Sequence, residues 1–205
     1  QIAQLGWNVL DQLHFVDLGG GGKAYYNYGA GGARIRKVID RNGTLQLEWL
    51  YLGAVMRFRR RRRDTGAVEL ERWTVHVGDD EGLFAQVSVK TRDAGGIDPA
   101  NALGVPVIRY QYADHLGSAT IETDETGAVL SYEEFHPYGT SAYRSQKPGH
   151  DLSLKRFRFA GKERDEESGF YYFGARYYAP WLGRWTSTDP AGFVRGFNLY
   201  KYCAN

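Results

Sequence analysis

Along most of the chain, apolar and polar residues alternate at every second position. Trp73, Val75 and Val77 fall on one side of an extended segment, with Thr74 and His76 on the other, and Ala85 to Lys90 (AQVSVK) alternates likewise. A period of two is what a β-strand imposes, because successive side chains point to opposite faces of a sheet. No stretch of useful length carries the 3.6-residue period of a helix. The alternating runs are short and end at polar, glycine-containing junctions: Asp17 to Gly20, Arg41 to Gly43, Asp64 to Gly66, Asp80 to Gly82, Asp124 to Gly127 and Glu167 to Gly169. Asn and Asp tolerate the left-handed backbone conformation and Gly adopts it without steric cost, so these junctions predict hairpin turns. Arg92 to Pro106 and Tyr143 to Asp151 read as loops from their Gly and Pro content.

A degenerate repeat underlies the strands, with a unit of about twenty residues. Aromatic pairs recur in Tyr26 to Gly29 (YNYG), Tyr110 to Asp114 (YQYAD) and Tyr132 to Phe135 (YEEF), and turns in Ile39 to Leu45 and Thr123 to Val129. Tyrosines two apart lie on one sheet face, where their rings pack along the sheet.

Composition agrees with this picture. The chain carries 15 Tyr, 10 Phe, 5 Trp and 26 Gly against a single Met, a balance that favours sheet over helical bundle. A formal net charge of +2 is too small to argue for nucleic acid or a membrane surface as a global partner. The single cysteine, Cys203, excludes an internal disulfide. No segment approaches the roughly 20 apolar residues of a membrane span, and no signal peptide is evident.

The last fifty residues are the most specific part of the chain. They contain Gly161 to Asp165 (GKERD), Tyr171 to Tyr178 (YYFGARYY), Gly183 to Trp185 (GRW), Asp189 to Gly192 (DPAG) and Asn198 to Tyr202 (NLYKY). These ordered blocks resemble the core-domain signature of RHS/YD-repeat proteins. The run Tyr178 to Trp185 (YAPWLGRW) is most like the C component of insecticidal Tc toxin complexes. The resemblance is strongest from Tyr110 onward. It implies an all-β fold in which antiparallel hairpins form part of a coiled hollow β-shell, with a degenerate repeat segment over 1–109 and a core domain over 110–205 that is incomplete at its C-terminal end. Both ends of the chain fall inside patterned sequence, so it reads as a piece of a longer polypeptide.

The same resemblance implies function: a secreted bacterial toxin component whose shell sequesters a cytotoxic C-terminal cargo. The partners implied are the rest of its own shell, or a component resembling Tc B, and the enclosed cargo. Nucleic acid and direct membrane insertion are not among them, and no cofactor or metal is implied. In the family, an Asp-Pro-x-Gly motif is followed further along by a second, beside which the chain cuts itself in the manner of an aspartyl protease. Asp189 matches the first motif, and Arg184 is the matching candidate for polarising the scissile carbonyl or setting a carboxylate's pKa. The second motif would lie beyond Asn205. Two carboxylates held close divide the work of base and acid, which is the chemistry such a site needs. The plainer reading of Asp189 is a turn cap before Pro190.

Other tempting features take structural readings. Arg59 to Arg63, with Arg57 nearby, reads as a solvated strand end beside the turn at Asp64 rather than as a phosphate grip. Gly19 to Gly22 lacks the residues of a phosphate loop and reads as a turn. Asp165, Glu166 and Glu167 read as surface salt-bridge partners. Cys203 reads as a small buried hydrophobe. The scattered histidines lack metal-ligand spacing. The alternative functions are a cell-surface adhesion or carbohydrate-binding YD-repeat protein, which exposed aromatics would suit, and a free-standing hydrolase, for which no nucleophile and base are evident.

Overall fold

Because each turn signal joins strands adjacent in sequence, the chain builds a meander. The structure, a computed structural model, describes residues 2–80, 82–99, 101–147 and 155–203. Twelve strands form one antiparallel sheet in sequence order: β1 (Gln4–Trp7), β2 (Leu13–Asp17), β3 (Lys23–Tyr28), β4 (Arg34–Arg41), β5 (Leu45–Leu52), β6 (Val55–Arg62), β7 (Val68–Asp79), β8 (Gly82–Asp93), β9 (Pro106–Ala113), β10 (Ala119–Thr123), β11 (Val129–Phe135) and β12 (Ser141–Gln146). A second meander of four short strands follows: β13 (Glu163–Arg164), β14 (Tyr171–Tyr172), β15 (Tyr177–Ala179) and β16 (Arg184–Trp185). The large sheet passes through residues 109 and 110 within β9. Strand β12 extends into the region expected as a loop from Tyr143, and residues 148–154 lie outside those described. Glu81, in the turn expected at Asp80 to Gly82, is likewise outside them.

The turn chemistry acts where the sequence places it. Asn42 (φ 46°) and Gly43 (φ 78°) both take the left-handed conformation between β4 and β5, as a tight hairpin requires. Gly22 has φ 97°, and a Cβ there would lie 1.9 Å from the Asp40 carbonyl oxygen on the neighbouring strand. The four-glycine run is therefore a turn in which one glycine also allows close backbone approach.

The four-stranded sheet packs on one face of the large one. Leu13, Val16, Tyr26, Ile39, Trp49 and Met56 of the large sheet form a buried cluster with Phe170, Tyr177 and Ala179 of the small one. A second cluster centres on Phe159, Tyr171 and Tyr178, with Phe135, Trp185 and Tyr202 packed against it. Tyr202 stacks on Tyr178 with ring centroids 4.0 Å apart, which pins the end of the described chain to β15.

The covered face changes character across the large sheet. On β2–β6 it is mainly apolar. On β7–β11 it carries Arg72, Thr74, Gln86, Ser88, Arg109, Gln111, Glu122, Ser131 and Glu133, all buried. Val75, Val77, Tyr110 and Tyr112 point the other way and are exposed. The alternation read from β7 is thus present with its polar side covered. The reason is the element that covers it: residues 155–158 are Lys-Arg-Phe-Arg, and charged side chains need buried polar partners.

Candidate functional site

Two arrangements carry the polar chemistry of this fold: a buried charge cluster in the seam between the sheets, and the corner that holds Asp189. The cluster begins with a β-bulge. Pairing between β3 and β4 steps from Asn27–Arg36 to Tyr28–Arg34, leaving Ile35 as an extra residue. The bulge re-aims the strand, so Arg34 and Lys37 both project into the seam although three residues apart. Arg34 donates from Nη1 to Asp165 Oδ2 at 2.7 Å and from Nη2 to Glu163 Oε2 at 2.6 Å. Lys37 Nζ donates to Asp165 Oδ1 at 2.7 Å and lies 3.1 Å from Glu167 Oε1. Arg156 donates to Glu163, as does the Tyr51 hydroxyl at 2.9 Å. Lys37 sits 4.5 Å from the centroid of Trp49, and Arg156 packs over the same indole at 4.6 Å.

Three cations thus face three carboxylates out of water. Burial would raise the Glu163 carboxyl, but the guanidiniums of Arg156 and Arg34 outweigh it and hold it well below the usual range. Asp165 is likewise held down by Arg34 and Lys37 against the opposing effect of burial. Glu167 goes the other way: burial raises it and Asp165 adds to the rise, with Lys37 only partly opposing. The expectation of surface salt bridges at Asp165 and Glu167 is corrected here. Their side chains are 0% and 2% exposed, and their partners lie on β4, far away in sequence. Only Glu166 matches it, half-exposed and paired with Arg158 at 2.5 Å. Arg158 is itself buried and also holds Glu133 of β11, so one guanidinium ties the large sheet to the segment before β14.

Asp189 lies on an excursion that leaves β16 and returns to it. Trp185 N–H donates to the Tyr200 carbonyl at 2.9 Å, and Arg184 bridges to Lys201, closing the base of the excursion. Within it, Asp189 Oδ1 accepts from the Ala191 N–H at 2.9 Å and the Asp189 carbonyl accepts from Gly192 N–H at 2.9 Å, so the residue does cap its own turn. Oδ2 accepts from Arg176 Nη2 at 3.1 Å. The Arg176 guanidinium lies over Trp185, 4.2 Å from its centroid. Arg184 is exposed on β16, where it pairs with Ala179 and lines a shallow depression with Tyr138, Pro180 and Lys201. The guanidinium seen on Asp189 is therefore that of Arg176, a residue sequence reasoning passed over although it stands inside the YYFGARYY block.

The remaining features resolve as follows. The arginine run forms the end of β6, with Arg63 following the strand. Glu48 on β5 receives Arg36 at 2.7 Å and Arg61 at 3.1 Å, while Arg59 reaches Glu71 and Arg60 reaches Glu69 on β7. A run that looks strongly basic in sequence is a cross-strand ladder neutralised by its neighbours. Cys203 is exposed rather than buried, because the segment around it reaches the sheet through Tyr202. No helix among the described residues is long and apolar enough to cross a membrane.

No family model matches the chain. Toxin subunit YenC1 of Yersinia entomophaga is 35% identical over 193 residues, covering 88% of this chain and 18% of the relative. Toxin protein Tse5 of Pseudomonas aeruginosa is 33% identical over 195 residues, covering 89% of this chain and 14% of the relative. A crystal structure of TcdB2-TccC3 superposes with a TM-score of 0.86 at 31% identity, covering 98% of this chain and 10% of that one. The chain thus spans a small part of the proteins it matches. The meander of hairpins, the core-domain blocks in β13–β16 and these likenesses agree: the chain is an RHS/YD-repeat core-domain protein segment like the C component of Tc toxin complexes.

Proposed function

We propose that this segment is part of an encapsulating shell that sequesters a cytotoxic C-terminal cargo polypeptide, and that its core domain takes part in the self-cleavage that frees the cargo. The observation that carries the reading is the small sheet β13–β16, locked by buried charge onto one face of a sheet whose end strands, β1 and β12, each pair on one side only among the described residues. Such a sheet is built to be continued by further hairpins. The partners in this reading are the rest of its own shell, or a component resembling TcdB2, and the enclosed cargo; nucleic acid and direct membrane insertion play no part, and the assembly is secreted. The division at residues 109 and 110 is a change in repeat character within a continuous wall.

In the cleavage reading, the Asp189 carboxylate takes a proton from water, whose oxygen adds to the scissile carbonyl carbon. A second carboxyl, from beyond Asn205, gives its proton to the amide nitrogen as the C–N bond breaks. In this reading Arg184, exposed near the returning chain, polarises that carbonyl. The test is a denaturing gel of the full-length parent, with native limited proteolysis beside it. Asp189→Asn is expected to leave the chain uncut and soluble, since the amide is nearly isosteric but is no base. Arg184→Ala should slow cutting. The cargo should resist protease until the shell is denatured. An Asp189→Asn protein cut as fully as wild type removes the catalytic role, and a cargo digested as fast as the free polypeptide removes the shell.

One observation favours a second reading, carbohydrate binding at a cell surface: Tyr112 and Tyr143 are each 55% exposed on the large sheet. Retention on immobilised glycans that is lost in Tyr112→Ala and Tyr143→Ala would support it.

A further inference from the structure

Strands β8 and β9 separate before either ends. Their pairing runs from Val89–Pro106 to Ala85–Tyr110 and stops there. Both strands continue past that point, β8 through Phe84, Leu83 and Gly82, and β9 through Gln111, Tyr112 and Ala113. Among the described residues these two stretches do not pair with each other; each is held by the strand on its far side, β7 or β10. The cause is a pair of bulges at the same level. Pairing of β7 with β8 steps from Val77–Ala85 to Gly78–Leu83, leaving Phe84 as an extra residue, and pairing of β9 with β10 steps from Ala113–Ala119 to Tyr112–Ile121, leaving Thr120. A bulge bends its strand and adds twist, so the two hairpins splay. Bonds to the covering segment fix the β9–β10 side: Ala119 N–H donates to the Arg158 carbonyl at 3.1 Å, and Ala160 N–H to Ser118 Oγ at 3.1 Å.

The fork encloses a cleft of about 840 Å³, lined also by Phe157, Ala160 and Lys162 of the covering segment. An unpaired strand edge is a template for another strand, and here two such edges flank one cleft. Three residues on each edge give about 10 Å of strand, enough for a short β-addition. The cleft wall also holds an unanswered acceptor. Gln111 is 5% exposed; its Nε2 donates to Glu122 Oε1 at 3.0 Å, and its Oε1 is buried with no hydrogen-bond partner among the described residues. Leaving such an oxygen unpaired is costly, so it calls for a donor. The charged groups around the cleft are mainly acidic, Asp79 and Asp80 at one hairpin tip and Asp114 at the other, against Lys162. Phe84 and Leu116, 45% and 57% exposed, add apolar surface.

We propose that the fork receives an extended basic segment from elsewhere in the same shell polypeptide, which adds as a strand between β8 and β9 and sets a Lys or Arg side chain against Gln111 Oε1 and the hairpin-tip carboxylates. This rests on the shell reading above. In a coiled wall of hairpins the tips of one turn abut the adjacent turn, so the segment within reach of this fork belongs to the same coil.

The experiment places the photoreactive residue p-benzoylphenylalanine at Phe84 of the full-length parent, which is irradiated in its native state, digested and read by mass spectrometry. The expected product joins residue 84 to a Lys- or Arg-containing segment of the shell outside these 205 residues. The same probe at Val75, which is exposed and stands outside the cleft, should not give that product. Asp79→Asn combined with Asp80→Asn should cut its yield about two- to fivefold at low salt, the worth of partly exposed ion pairs. A product joining residue 84 to the cargo, products confined to the 205 residues, the same product from the Val75 probe, or a yield unchanged by the double variant each overturns the proposal. Should the chain probed at Phe84 fail to fold, the probe at Leu116, on the opposite hairpin, decides by the same outcomes. Native proteolysis of the same preparations separates the two readings. A protected cargo beside a failed crosslink removes only this inference, whereas a digested cargo removes the shell reading and this inference with it.

Discussion

Lys37 Nζ and Asp165 Oδ1 lie 2.7 Å apart, both side chains fully excluded from solvent, across the seam between a twelve-stranded wall and the four-stranded sheet that covers it. The pair also carries Arg34 on the other carboxylate oxygen, so Asp165 is shared by Arg34 and Lys37 of β4. The small sheet is thus attached by a charge cluster as well as by aromatic packing.

Removing Asp165 leaves two buried cations short of a partner. Breaking one side of a buried ion pair typically costs about 3–5 kcal/mol, because the remaining charge stays uncompensated. Asp165→Ala is expected to lower the urea midpoint accordingly. Trp49 lies beside Lys37 and Arg156, so its fluorescence, read in a chain whose other four tryptophans are replaced by Phe, reports the seam. An unchanged midpoint would show that the seam is held by apolar contacts alone.

The carboxylates of the cluster predict a stability maximum in mild acid. Asp165 and Glu163 are held below the usual range, so the stability they contribute is present above their unfolded values and is lost as pH falls through the folded ones. Glu167 is raised, so its protonation on going down from neutral pH relieves a buried charge before the other two titrate. Stability should therefore rise slightly from neutral into mild acid and fall steeply below the ordinary carboxylate range. Glu167→Gln should remove the rise and keep the fall. Thermal melts across pH check both.

The arginine ladder of β6 is expected to matter mainly through Glu48. Arg59 and Arg60 are partly exposed pairs, so single changes to Gln should each cost about 0.2–1 kcal/mol. Glu48 is buried and shared by Arg36 and Arg61, and Glu48→Gln should cost more, about 1–3 kcal/mol. Denaturation midpoints for the three variants give the order.

Two glycines in hairpin turns should respond unequally to alanine. Gly43 has φ 78° with open space around it, so Gly43→Ala should cost about 1–2 kcal/mol from the left-handed backbone alone. At Gly22 a Cβ would run into the Asp40 carbonyl, backbone that cannot swing aside. Gly22→Ala should therefore be clearly the more damaging in melting temperature. Equal shifts would show that the β2–β3 turn relaxes freely.

The isolated 205-residue chain should self-associate. Val75, Val77, Phe84, Tyr110 and Tyr112 are exposed on or beside one sheet face, and among the described residues strands β1 and β12 have open edges. Sedimentation should show a polydisperse sample, narrowed by polar replacements at Val75 and Tyr112. A single compact monomer would contradict this.

What the sequence determined by itself was the set of strands and turns. Asn42-Gly43, Gly66, Gly127 and Gly169 all act through the few residues on either side of them, so their effect is local and readable. A period of two likewise declares a strand with two faces. Which face is covered is not local, and in β7 the covered side proved to be that of Thr74 and His76 rather than of Val75 and Val77. It depends on the Lys-Arg-Phe-Arg segment that crosses it some eighty residues later in the chain. The site divides the same way. Asp189 and its turn were legible from Asp-Pro-Ala-Gly, because an Asp side chain caps its own backbone. That Arg176 rather than Arg184 reaches it, that Ile35 bulges to bring Arg34 and Lys37 together, and that Asp165 is buried were decided only in three dimensions. Each depends on where the small sheet settles on the large one, and that placement is set by contacts between residues remote in sequence.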